Sequence, residues 1–135
     1  MGLSNRFPGQ IVPMETESAV RDGDLVVVGS ADNKCAFPGG ASPTTGLLGV
    51  VMLPDGSVAA VGDTVDVLLS GIYPVRSGGV ITRGDQITSN GVDGTAKTET
   101  AGAGVNVGVI GQALESGASG ERVSTNINPF IKQGA

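Results

Sequence analysis

The side chains able to do chemistry are few. The chain holds 13 acidic residues, 8 lysines and arginines, one cysteine, one tyrosine and no histidine. Without histidine, the commonest general base and metal ligand is missing. Neither a Ser-His-Asp nor a Cys-His arrangement can be assembled. Cys35 has no base to activate it and reads as a small apolar core residue. A single cysteine also excludes an internal disulfide. Asp22-Gly23-Asp24 sets two carboxylates across a glycine, a spacing that can open a hard-cation loop. The further oxygen ligands of a calcium loop do not follow it, so the expectation is a turn that caps a strand. Asp63/Asp66 and Asp85/Asp93 have the residue types for acid–base work, but three of these four are explained by turns. Gly102-Ala103-Gly104 with Gly108 resembles a dinucleotide fingerprint whose third glycine is one place late and which no helix follows. It reads as a hairpin tip. No catalytic, metal or cofactor-binding residue is assigned, and no cofactor is expected.

The elements that would position such residues are organised around Val61 to Asp85. Here two similar strand entries flank one apolar run. The recurring unit is Gly-Asp, one variable residue, then an apolar strand residue: Gly23-Asp24-Leu25-Val26, Gly62-Asp63-Thr64-Val65 and Gly84-Asp85-Gln86-Ile87. Glycine supplies a backbone angle that other residues resist, aspartate bonds its own backbone in a turn, and a β-branched residue starts the strand. The longest glycine-free runs, Gln10–Asp22 and Glu121–Gln133, each contain a proline, so helix is nearly excluded. Expected strands include Leu25–Val28, Leu47–Leu53, Thr64–Leu69, Ile72–Val75, Val105–Ile110 and Glu121–Ile127. Asp55-Gly56 predicts a hairpin returning Ser57–Val61 beside Leu47–Leu53. Met14-Glu15-Thr16-Glu17 faintly resembles the tip of a lipoyl or biotinyl carrier domain, but the lysine that would be modified is absent.

The predicted fold is all-β: a small glycine-rich barrel or sandwich of roughly eight to ten short strands. At 135 residues it is one domain. Residues 1–18 read as an extended N-terminal arm, 19–128 as the barrel or sandwich, and 129–135 as a C-terminal tail. Leu, Ile, Val and Phe exceed the ~20% below which disorder is expected. With 23 glycines, 7 prolines and only four aromatic residues, the core must be built from small side chains.

Net charge is −5 and no basic run exists, which argues against nucleic-acid binding by phosphate neutralisation and against an anionic membrane surface. The apolar runs are shorter than a membrane span. The first ten residues lack the apolar stretch of a signal peptide, so a soluble protein made in the cytoplasm is expected. The candidate partner-binding residues are the apolar anchors of the two ends, Phe7, Ile11, Val12 and Met14, then Phe130 and Ile131. Phe37, in the loop running to Pro43, joins them.

The chain resembles the bacteriophage capsid cement or head-decoration proteins. The residues that carry the resemblance are Ala19-Val20-Arg21-Asp22-Gly23-Asp24-Leu25-Val26-Val27, Leu48-Gly49-Val50-Val51 and Gly62-Asp63-Thr64-Val65-Asp66-Val67. Gly71-Ile72-Tyr73-Pro74-Val75, Ile81-Thr82-Arg83-Gly84-Asp85-Gln86-Ile87, Ile110-Gly111-Gln112-Ala113-Leu114 and Gly120 to Ile127 complete it. The resemblance implies a non-enzymatic protein on the outer surface of the virion head that clamps subunits of the major capsid protein. It also implies a homo-oligomer, a trimer before a dimer. Loss of residues 1–14 is then expected to weaken capsid binding and leave the barrel folded. The alternative from another class is a small ligand- or carbohydrate-binding β module of a phage tail or fibre appendage. The scarcity of aromatic side chains argues against sugars.

Overall fold

The Gly-Asp turns build the fold as their composition requires. In a computed structural model, which describes residues 7–39, 46–54, 56–91, 93–100 and 105–133, all three glycines have positive φ: 88° at Gly23, 95° at Gly62 and 94° at Gly84. In each turn the aspartate Oδ2 accepts the backbone N–H three residues earlier. The pairs are Arg21 to Asp24 at 2.8 Å, Ala60 to Asp63 at 2.9 Å and Thr82 to Asp85 at 3.0 Å. The aspartate N–H returns a bond to the same residue's carbonyl. A strand starts at the next residue every time. Gly120-Glu121 is a fourth copy, with φ of 89° and a Glu121 Oε1 that accepts the Ala118 N–H at 2.6 Å. Its longer side chain hid it from the Gly-Asp pattern.

The described residues hold no helix, and the fold is all-β as expected. The first seven strands are β1 (Phe7–Pro8), β2 (Ile11–Thr16), β3 (Val20–Arg21), β4 (Leu25–Val28), β5 (Lys34–Ala36), β6 (Gly49–Met52) and β7 (Val58–Ala59). Then follow β8 (Thr64–Leu68), β9 (Gly71–Arg76), β10 (Gln86–Ser89), β11 (Ala96–Thr98), β12 (Asn106–Ala113) and β13 (Arg122–Gln133). Five of them close a barrel in the order β2-β5-β4-β6-β8, and six form a sheet in the order β1-β9-β13-β12-β10-β11. β3 and β7 pair separately. The number exceeds the expected eight to ten because several strands are only two or three residues long.

Period-2 alternation divides the core. In β4, β6 and β8, Val26, Val51, Val65 and Val67 join Val20, Cys35 and Ala59 in the barrel cluster. Their neighbours Leu25, Val50 and Leu68 turn the other way and pack on Tyr73, Val75, Ile87, Ile110, Val123 and Ile127 of the six-stranded sheet. Strands with both faces covered read as continuous apolar runs. Val28 departs from this: it is 64% exposed, so β4 is covered on both faces only at its start.

Three expectations are corrected. Residues 11–16 are not part of an arm outside the barrel, because β2 pairs with β8 from Ile11↔Leu68 to Glu15↔Thr64. Pro13 fits because β2 meets its other neighbour, β5, only at Glu15 and Thr16, leaving Pro13 on a one-sided stretch. The flanks of the hairpin expected at Asp55-Gly56, of which Asp55 lies outside the described residues, do not pair: β6 lies between β4 and β8, so no edge is open to β7. Phe130 and Ile131 are not in a separate tail but within β13, paired with Val109 and Gly108 of β12.

These turns make a stability prediction. Asp85→Ala removes the acceptor for both the Thr82 N–H and the Thr98 hydroxyl and should cost about 1–2 kcal/mol in urea unfolding. Asp66→Ala, at an exposed position of β8, should stay within about 0.5 kcal/mol.

Candidate functional site

Asp22-Gly23-Asp24 holds the barrel to the sheet. The Asp22 Oδ1 accepts the Tyr73 hydroxyl at 2.6 Å and the Leu53 N–H at 2.9 Å. Its Oδ2 accepts from Arg122 at 3.1 Å. Arg122 also donates to the Pro74 carbonyl at 2.8 Å, and Arg76 donates to the Asp22 carbonyl at 3.1 Å. Asp24 ion-pairs with Arg21 at 3.5 Å, with Arg76 farther away at 3.9 Å. Both carboxylates are buried. This donor set is cationic and N–H based, so the turn is an ionic staple rather than a cation loop.

The two carboxyls are pushed apart. Burial acts to raise Asp22, but the Leu53 N–H, the Tyr73 hydroxyl and the Arg122 charge outweigh it, and the group lies below its ordinary value. At Asp24 burial prevails over the Arg21 N–H and the charges of Arg21 and Arg76, and the carboxyl is raised. Burial likewise raises the Cys35 thiol, which fits a core residue and not a nucleophile. Asp63 and Asp85 are occupied in their turns, and Asp93 bonds Thr95 in its own loop. Glu15 lies within β2 and pairs with Lys34 at 2.8 Å, while Glu17 accepts from Ser30. Nothing in that segment resembles a modified hairpin tip.

The apolar candidates separate. Val12, Met14 and Phe37 are half-buried and pack against the barrel cluster. Phe37 lies over Gly94, where a Cβ would come within 2.8 Å of the ring. Ile11, Phe130 and Ile131 are exposed by 43%, 41% and 56%. Phe7 pairs through its backbone with Ile72 at the sheet edge. Residues 40–43 of the Phe37 loop and Gly102–Gly104 of the expected hairpin tip lie outside the described residues.

The sheet's outer face carries a feature the sequence did not announce. Gln86 lies opposite Gln112, and Gln112 opposite Asn126. The row thus spans three adjacent strands. Asn126, Asn128 and Phe130 are all exposed along β13, and with Gln86, Gln112 and Gly111 they line one depression of about 220 Å³. Gly111 is required there, since a Cβ would lie 1.8 Å from the Asn126 carbonyl oxygen. The β12–β13 register shifts beside it, between Val109 and Gly111. The Asn126/Asn128 spacing was visible in sequence, but the cross-strand register that adds Gln86 and Gln112 was not.

Residues 8–127 match the family described as phage cement protein. This chain belongs to the phage cement protein family. It is a structural protein of the phage head, a virion component located on the capsid. Among solved structures it is similar to the head fiber gp8.5 N base of bacteriophage phi29. The TM-score is 0.65 at 22% identity, over 88% of this chain and 93% of that one. At that identity the likeness is one of fold. No curated protein matches the chain. The family match takes in Ile11, Val12, Met14 and Phe37 of this cement protein and stops short of Phe130 and Ile131.

The staple makes a pH prediction. The Asp22 carboxyl is depressed in the folded state, so its stabilisation is full above the ordinary carboxylate range and is lost as pH falls through the folded value. Asp22→Asn should therefore cost about 3 kcal/mol at neutral pH. The gap to the wild type should close in acid unfolding series only below that range. Asp24→Asn should cost less at neutral pH, because burial already opposes the charged form of Asp24.

Proposed function

We propose that this cement protein binds the outer surface of the phage head and bridges neighbouring subunits of the major capsid protein, holding them against the pressure of packaged DNA. The observation that carries the reading is the family match over residues 8–127. The physical character agrees with it. A net charge of −5 suits the outside of a shell better than contact with its nucleic acid. Ile11 and Ile131 stand exposed on strands fixed by ladders, so little ordering entropy is lost when they dock. Val12, Met14 and Phe37, half-buried against the barrel cluster, offer a partner less surface. Self-association, as a trimer before a dimer, is part of the reading: symmetric copies convert modest contacts into avidity.

The test is pelleting of the purified protein with expanded heads that lack it. Binding should saturate at a copy number fixed by capsid symmetry. Ile11→Asp and Ile131→Asp should each weaken it at least tenfold with the melting temperature kept. Wild-type affinity in both variants would contradict the assignment of these anchors, and no saturable binding by the folded wild type would contradict bridging itself. Deleting residues 1–14 is not a clean test, because it removes most of a barrel strand and should unfold the protein.

A further inference from the structure

The depression on the outer sheet face has an unusual lining for a surface that serves only packing. Four of its six residues carry carboxamides: Gln86, Gln112, Asn126 and Asn128. None carries a charge. Each carboxamide offers two donors and an acceptor with two lone pairs. Of these groups only the Gln112 Nε2 is engaged, donating to the Gly84 carbonyl at 3.1 Å. The side chains of Gln86, Asn126 and Asn128 make no hydrogen bond among the described residues. Phe130 supplies an exposed aromatic side chain at one end of the row.

We propose that this depression binds a neutral sugar ring. Vicinal hydroxyls are paired donors and acceptors and match uncharged carboxamides. The C–H face of a sugar packs on an aromatic ring. An anionic ligand would find no cation in the lining, and an apolar ligand would strand four amides. At about 220 Å³ the depression is smaller than the ~300–1,000 Å³ of drug-sized pockets, and it has room for one ring rather than an oligosaccharide. Strand register, Gln86 to Gln112 to Asn126, fixes the backbone positions from which these amides project. Gly111 and the adjacent bulge bring β12 and β13 close enough to shape it, a common place for bulges. Tyr73 is buried, so Phe130 is the one aromatic side chain in the lining. Affinity for a single ring is therefore weak, in the millimolar range. Many copies on one particle would raise it against a surface that repeats the sugar. The inference goes beyond capsid bridging and does not rest on it.

The experiment is an NMR titration of the isotope-labelled full chain with glucose, galactose and N-acetylglucosamine as probes. At least one should shift the side-chain amide signals of Gln86, Asn126 and Asn128 saturably. Phe130→Ala and Asn128→Ala should each weaken that sugar about tenfold, while Val80→Ser, at an exposed position outside the lining, should leave it unchanged. Absence of saturable shifts with all three sugars would overturn the proposal, as would unchanged affinity in both lining variants. Pelleting of Phe130→Ala with heads separates the two readings. Loss of head binding without any sugar response would give this face to the capsid and overturn the proposal; retained head binding with lost sugar response is the expected result.

Discussion

The Asp22 carboxylate is the point on which the two halves of the molecule depend. It sits in the turn between β3 and β4, on the barrel side. Two of its partners, Tyr73 and Arg122, belong to β9 and β13 of the six-stranded sheet. A third, the Leu53 N–H, comes from the chain leaving β6. A buried carboxylate without partners is strongly unfavourable, so the barrel and sheet must meet in the one arrangement that satisfies it. Tyr73 is the largest fully buried side chain among the described residues, and its hydroxyl needs the same acceptor. Packing and polar satisfaction therefore select the same geometry.

A core of valine, isoleucine, leucine and alanine buries less area per residue than an aromatic one. This chain compensates by using both faces of its central strands. Leu25, Val50 and Leu68 serve the interface with the sheet while Val26, Val51 and Val67 fill the barrel. Val61, Val80, Val105 and Leu114 are exposed outside the strands, but the proposed anchors Ile11 and Ile131 are fixed by ladders. That suits a head protein whose proposed task is to hold its neighbours in register, and it leaves the outer face of the sheet available for a different ligand.

What the sequence disclosed was local. Gly23-Asp24, Gly62-Asp63 and Gly84-Asp85 were legible as strand entries because glycine's φ and the aspartate's back-bond act within four residues. Gly120-Glu121 does the same with a longer carboxylate and escaped notice. What was hidden was pairing. Pro13 made β2 look like an arm, though it sits where the strand has one neighbour. Asp55-Gly56 gave a hairpin signal that lost to the burial demand on Val50 and Val51, which place β6 between two other strands. The ionic staple spans 100 residues between Asp22 and Arg122, and the amide row needs the register of three strands. Neither leaves a mark in adjacent residues. The resemblance to head-decoration proteins was legible because it rests on the turn-and-strand pattern itself, and the family match over 8–127 bears it out.

The most direct measurement is cryo-electron microscopy of expanded heads decorated with this protein. The expected density is a barrel with a sheet beside it on the outside of the shell, over a junction between major capsid subunits, with Ile11 and Ile131 toward the shell and Asn126, Asn128 and Phe130 toward solvent. Density confined within one capsid subunit's surface, or on the inner face of the shell, would contradict bridging. Density at a junction with the amide row pressed against the capsid would contradict the orientation.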